Sequence, residues 1–334
     1  MKLILILMIL ICCEFLYLII AKHFNITDKP CERSSHKGIV IRGGGIIFYL
    51  SILLYYVLFD ISINIYLGGV SLLALVSFID DIHSLSAKIR LLAQFLSIVL
   101  LIFYFHFSDD ITLLVSVFML IVGIGIINSF NFMDGINGML VGYSIITYLT
   151  FLYIDYYVVS FIDSNFLIVC CIGFLLFSVL NFRIKAKCFS GDVGSITIGY
   201  TTLYLLLLLI FKTSNFYYLI LVLLFGVDVG MSLAHRILRK KNILEPHREQ
   251  AFQILANDVR IKQTHVALIY MSIQIIINIL FLYFRQYQAL IFYMSIGVLC
   301  FSYLFFIRKY FPIYLNNKIK QEQTQIQSLP IEEN

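Results

Sequence analysis

Charge is what this sequence has least of. Asp, Glu, Lys and Arg make up 13% of its 334 residues against 61% apolar, and the mean hydropathy is +0.94. Soluble domains carry about a quarter charged residues, so that class is excluded. The strict apolar–polar alternation of a barrel strand is also missing. No similarity between the two halves is apparent, which removes the usual signature of an inverted-repeat transporter. The seven cysteines lack metal-type spacing. Five of them (Cys12, Cys13, Cys170, Cys171, Cys300) lie in apolar runs, and Cys31 and Cys188 fall in loops expected in the reducing cytoplasm, so free thiols are expected. No small-residue cleavage site follows Lys2 and its apolar run, so Met1–Ala21 is expected as an uncleaved first span and not a signal peptide.

What is abundant is long apolar sequence. Runs of about 16–21 apolar residues, close to the length that crosses a bilayer, recur along the chain. They predict an all-α polytopic integral membrane helical bundle of about eleven spans, near 3–21, 45–60, 65–79, 89–107, 110–127, 138–158, 164–182, 195–211, 216–235, 264–284 and 288–308. Helices are required because hydrocarbon offers backbone groups no water. All Lys and Arg except Lys2, Lys212 and Arg285 follow odd-numbered spans. The positive-inside rule then sets those loops in the cytoplasm, with the N-terminus outside and the C-terminus inside. Residues 1–310 read as one transmembrane catalytic domain with cytoplasmic active-site loops, and 311–334 as a polar cytoplasmic tail, disordered from Asn316. The basic excess fits anionic lipid, and nothing argues for nucleic acid.

The polar residues are concentrated in the same loops. Asn128, Asn131, Asp134 and Asn137 crowd one glycine-containing segment between two apolar runs, an expensive way to make a turn beside hydrocarbon. Amide and carboxylate oxygens there suit a hard cation such as Mg²⁺ bridging phosphates. Asp80 and Asp81 end the third span, ahead of Lys88 and Arg90. Adjacent carboxylates repel, so one could take a proton from an acid phosphate; the pair could equally cap the next helix, with Lys88 and Arg90 as interfacial anchors. Arg33, His36 and Arg42 precede Gly43-Gly44-Gly45, whose N–H groups could cradle an anion. Gly191, Asp192, Gly194 and Ser195 open an apolar helix whose bare N–H groups would offer a second anion site, with Asp192 facing the accompanying cation or serving only as a cap. Asp228 lies within the ninth span, and His247 and Arg248 follow it in a basic loop suited to a nucleotide diphosphate. These segments follow spans one, three, five, seven and nine, so all emerge on one face. Independent structural roles would not sort themselves so.

The motifs Arg33-Ser-Ser-His36 with Arg42-Gly-Gly-Gly45, Asp80-Asp81 with Lys88, Asn128 to Gly138, and Phe189-Ser-Gly-Asp192-Val-Gly-Ser195 together resemble those of the polyprenyl-phosphate N-acetylhexosamine-1-phosphate transferases, glycosyltransferase family 4. The resemblance implies transfer of a sugar 1-phosphate from a UDP-N-acetylhexosamine to undecaprenyl phosphate, with release of UMP, Mg²⁺ (or Mn²⁺) as cofactor and a site on the cytoplasmic face of the bacterial inner membrane. It implies Asn131 and Asp192 as metal ligands and Asp80 as the group that deprotonates the lipid phosphate, positioned by Asp81 and Lys88. Asp134 stands nearby in the catalytic cluster. His247 would act on the donor, and Arg42, Asn128, Asn137, Gly191 and Arg248 would join Lys88 in substrate binding. It also allows a homodimer. Two departures stand out: Gln250 where the O-antigen branch has a second histidine, and Ile41 where a proline is common. The last motif is closer to the O-antigen and enterobacterial-antigen initiating enzymes than to the peptidoglycan enzyme. A transporter of an anionic or nucleotide-sugar solute is the alternative class.

Overall fold

The computed structural model describes residues 1–28, 38–109, 112–242 and 248–328. It is helical nearly throughout. In chain order the helices are α1 (Lys2–His23), α2 (Ile46–Leu58), α3 (Ile65–Ile82), α4 (Ala87–Asp109), α5 (Leu113–Met133), α6 (Met139–Tyr157), α7 (Ser164–Asn181), α8 (Gly191–Thr213), α9 (Leu223–Leu238), α10 (Ala251–Asn257), α11 (Gln263–Tyr283) and α12 (Gln288–Ser328). A 3₁₀ segment, Phe216–Val222, leads into α9. Among the described residues ten helical segments are long and apolar enough to cross a membrane, and α2 is a shorter apolar helix. Its 13 residues span about 20 Å, short of the hydrocarbon thickness of about 30 Å.

Helix α8 is the axis of the bundle. Its residues from Val193 to Leu207 are all buried, and it packs against α2, α3 and α5. In lipid such contacts gain little from the hydrophobic effect and rely on close approach and interhelical hydrogen bonds. Both are present. A Cβ on Gly45 would fall 2.4 Å from the Gly194 Cα, so α2 meets α8 backbone to backbone. The Tyr66 and Thr201 hydroxyls pair at 3.0 Å, and the Tyr200 hydroxyl donates to the Ser97 carbonyl at 2.9 Å.

Two strands, β1 (Thr27–Asp28) and β2 (Val40–Ile41), pair antiparallel, and Ile41 also bridges Cys188. The Phe189 N–H donates to the Ile41 carbonyl at 2.8 Å; Gly44 and Gly45 donate to Phe189 and Ser190 at 3.0 and 2.9 Å. This ladder ties the start of α2 to the start of α8. Cys188 is buried beneath it, and the cysteines among the described residues are free thiols.

The C-terminal stretch departs from expectation. Helix α12 continues to Ser328, through the polar sequence read as a disordered tail. Phe311 and Tyr314 explain part of this, being buried against Ile254 of α10.

Candidate active site

Described residues of the loops after α1, α3, α5, α7 and α9 meet at one end of the bundle, around a cavity of about 1130 Å³. Helix α3 ends there with Asp80 and Asp81, α5 ends just before Asp134, and α2 and α8 begin there.

Asp192 is the hub. Its Oδ1 accepts from Asn131 Nδ2 at 3.2 Å and meets Arg42 Nη2 at 3.4 Å, while its Oδ2 meets Arg90 Nη1 at 3.3 Å. Arg90 also reaches Asp80 Oδ2 at 3.4 Å, and the Leu85 N–H donates to Asp80 Oδ1 at 2.5 Å. Asn131 donates a second bond to Ser195 Oγ at 3.0 Å, which turns its amide oxygen the other way. Asp80, Asn131 and Asp192 therefore share one site, as their spacing on odd-numbered loops predicts.

Asp81 does something different from its neighbour. Its side chain is fully enclosed, with Arg42 Nε at 2.7 Å. Its two oxygens accept the N–H groups of Asp192 and Val193 at 2.9 and 3.0 Å. Gly191, at φ +71°, lets the chain pass so close that a Cβ there would meet the Asp81 carboxylate. Four of the N–H groups expected as open anion sites are thus occupied: Asp81 takes those of Asp192 and Val193, and carbonyls of the Phe189–Ser190 turn take those of Gly44 and Gly45. The cap of α8 comes from α3, not from Asp192.

Asp134 accepts a hydrogen bond from the Ser190 hydroxyl. Burial raises its carboxyl to about 8, against the Ser190 bond and with the Asp192 and Asp81 charges adding to the rise. Asn128 pairs with Gln94 across α4 and α5, its Nδ2 donating to Gln94 Oε1 at 2.9 Å. Asn137 faces the cavity wall but gives its amide to the Arg183 and Ile184 carbonyls at 2.9 and 3.3 Å, a bond set that holds two loops together.

Lys88 does not enter the cluster. It is exposed, whereas Arg90 bridges Asp80 and Asp192. Residues two apart on a helix point about 200° apart, so only one of the two basic residues in the first turn of α4 can face the acids. The sequence offered no way to choose. Arg90, Ser190, Gln94, Gln250 and Gln253 are the site residues that sequence reasoning missed or assigned elsewhere; the last two line the cavity from the α10 side. Arg248 is partly buried beside that segment. Arg33, His36 and His247 lie outside the described residues.

The remaining wall is apolar, formed by Leu73, Val76, Val122, Phe225, Val229 and Leu233. The site therefore joins a charged mouth to a greasy interior. Among the described residues no three His, Cys, Asp or Glu side chains group as ligands for one ion. The available donors are hard oxygens, those of Asp192 and Asp80 and the Asn131 amide. That set fits an ion such as Mg²⁺, which takes one or two protein carboxylates and completes its shell with water and phosphate.

Residues 63–210 match the family described as glycosyl transferase family 4. A Thermotoga maritima protein named undecaprenyl-phosphate alpha-N-acetylglucosaminyl 1-phosphate transferase is 28% identical over 295 residues, covering 85% of this chain and 91% of its own. The Escherichia coli (strain K12) protein of the same name is 27% identical over 206 residues, and this match spans 56% of each chain. The chain is therefore a multi-pass membrane protein in which residues 63–210, the stretch that supplies Asp80, Asp81, Asn131, Asp134 and Asp192, are similar to glycosyl transferase family 4.

Proposed function

We propose that this protein transfers an N-acetylhexosamine 1-phosphate from a UDP-sugar to undecaprenyl phosphate, releasing UMP, at the cytoplasmic face of a bacterial inner membrane. This would be the initiating step of a cell-surface glycan. The observation that carries the reading is the junction of Asp80, Asn131, Asp192, Arg42 and Arg90 with an apolar wall in one cavity. An acceptor with a phosphate head and a polyprenyl tail needs both halves, and a water-borne donor needs only the charged mouth.

The contacts support a role for each residue. Asp80 lines the cavity, and its carboxylate is held by Leu85 N–H and Arg90. It is the group that takes the proton from the acceptor phosphate. Asp81, enclosed and bonded to α8, positions Asp192 and Arg42. Arg42 and Arg90 place positive charge where two phosphates must meet in line, and positioning with charge neutralisation is most of what phosphoryl transfer asks of a protein. A Mg²⁺ held by Asp192 and Asn131 would supply further neutralisation of the diphosphate. The apolar wall orients the acceptor so that its phosphate ends beside Asp80.

Purified protein in detergent with radiolabelled UDP-GlcNAc, undecaprenyl phosphate and Mg²⁺ tests this. The expected result is a lipid-linked sugar pyrophosphate, abolished by EDTA and by Asp192→Ala. Uptake of UDP-GlcNAc into proteoliposomes without lipid product would overturn the proposal in favour of transport.

A further inference from the structure

Helix α12 has 41 residues, about 62 Å, roughly twice the hydrocarbon thickness, so much of it must stand clear of the bilayer. The emergent part lies against the segment that carries Gln250 and Gln253. Tyr314 donates to Glu249 Oε1 at 3.4 Å, and Asn317 Nδ2 to Asp258 Oδ1 at 3.0 Å. Phe311 and Tyr314 pack on Ile254, which is 0% exposed. The Arg239 guanidinium sits 4.6 Å over the Phe311 ring, and the His235 ring meets that ring edge-on at 4.6 Å.

Glu249 is the joint. Its side chain is 2% exposed and is met by Arg236 at 3.4 Å, Arg239 at 3.4 Å and Lys241 at 3.1 Å. From the bundle side Asp228 accepts the Ala251 N–H at 3.1 Å and the Tyr270 hydroxyl at 2.7 Å. Between these two clamps Gln250 and Gln253 form a wall of the cavity, with Gln253 so close to the Asp134–Gly135 turn that a Cβ on Gly135 would come 2.9 Å from its amide nitrogen. Neutral amides suit the hydroxyl, acetamido and imide groups of a nucleotide sugar, not a hydrocarbon tail.

We infer that the emergent stretch of α12, through Phe311 and Tyr314, is a positioning strut that holds the Gln250–Gln253 wall against the donor. Neither residue reaches the cavity; they act through Glu249 and Ile254. This rests on the proposed transfer for the identity of the donor, but the placement of the wall is a separate matter.

The test uses the full chain with Phe311→Ala, Phe311→Leu and Tyr314→Phe. Amide hydrogen exchange over residues 251–257 should quicken in Phe311→Ala and Tyr314→Phe and return towards wild type in Phe311→Leu. In Phe311→Ala and Tyr314→Phe, but not in Phe311→Leu, KM for UDP-GlcNAc should rise about fivefold to tenfold, the effect of loosening one or two hydrogen bonds, while kcat and KM for undecaprenyl phosphate stay within about twofold. Unchanged exchange over 251–257, or a kcat loss with KM for the donor unmoved, would overturn the inference. If the wild type forms no lipid product, the transfer reading fails by itself, and the exchange measurement alone decides whether α12 is the strut.

Discussion

Asp81 of α3 caps α8 across 111 residues of sequence, its Oδ1 accepting the Asp192 N–H at 2.9 Å and its Oδ2 that of Val193 at 3.0 Å. The two aspartates therefore sit on one rigid corner in opposite roles. Asp81 faces inward to backbone and Arg42, and Asp192 presents its carboxylate to the cavity.

Removing that corner should damage both stability and rate. Asp81→Ala leaves Arg42 without its closest partner and two helix N–H groups without acceptors. A loss on the order of 3 kcal/mol follows for breaking a buried ion pair, and transfer should fall at least 100-fold because Asp192 and Arg42 shift. Thermal unfolding of the detergent-solubilised protein together with initial rates checks this. A variant with wild-type melting temperature and activity would refute the capping role.

Arg90 and Lys88 separate by role. Arg90→Ala should lower kcat roughly 100-fold, the scale for deleting one charge-stabilising donor. Lys88→Ala should stay within about threefold of wild type, because its exposed side chain lies outside the acid cluster. Steady-state kinetics at saturating donor and acceptor distinguishes them, and equal losses would contradict the assignment.

Asp134 predicts a pH dependence of stability. Burial lifts its carboxyl to about 8 in the fold, against about 3.9 in an unfolded chain. Between these values the folded state holds the proton and the unfolded state does not, so this group's contribution is fully present below about 4 and is lost as pH rises through about 8. Asp134→Asn lacks that contribution. Measured in EDTA, the melting temperature of the variant relative to wild type should increase from pH 5 to pH 8 and level off above; a flat difference would show that Asp134 is ionised throughout.

Glu249 runs the other way. Burial pushes its carboxyl up, but the Lys241 hydrogen bond and the charges of Lys241, Arg236 and Arg239 outweigh this and hold it below the usual range. The stability it contributes is present above about 4.3, the ordinary glutamate value, and is lost as pH falls through the lower folded value. Glu249→Gln should be destabilised relative to wild type at pH 7, with the gap narrowing below pH 4.

Much of this architecture was legible in the sequence. Hydropathy marked the membrane spans, and the gathering of polar motifs on odd-numbered loops foretold that Asp80, Asn131 and Asp192 would meet. The bonding inside the cluster was not legible. Whether Gly44, Gly45 and the first turn of α8 present bare N–H groups depends on partners far away in sequence, Asp81 and the Phe189–Ser190 turn, and nothing local to those glycines reveals them. Composition likewise gave no sign that α12 continues beyond Asn316, where Asn317 Nδ2 donates to Asp258 Oδ1 at 3.0 Å.

In the proposed reaction the sugar moves together with its phosphate at the Asp192 corner. The measurement that tests it most directly is the fate of label from UDP-GlcNAc carrying ³²P in its β-phosphate, incubated with undecaprenyl phosphate and Mg²⁺. The label should appear in the lipid product, unlabelled UMP should be released in equal amount, and Asp192→Asn should prevent both. Release of labelled UDP with sugar alone on the lipid, or no lipid product at all, would contradict it.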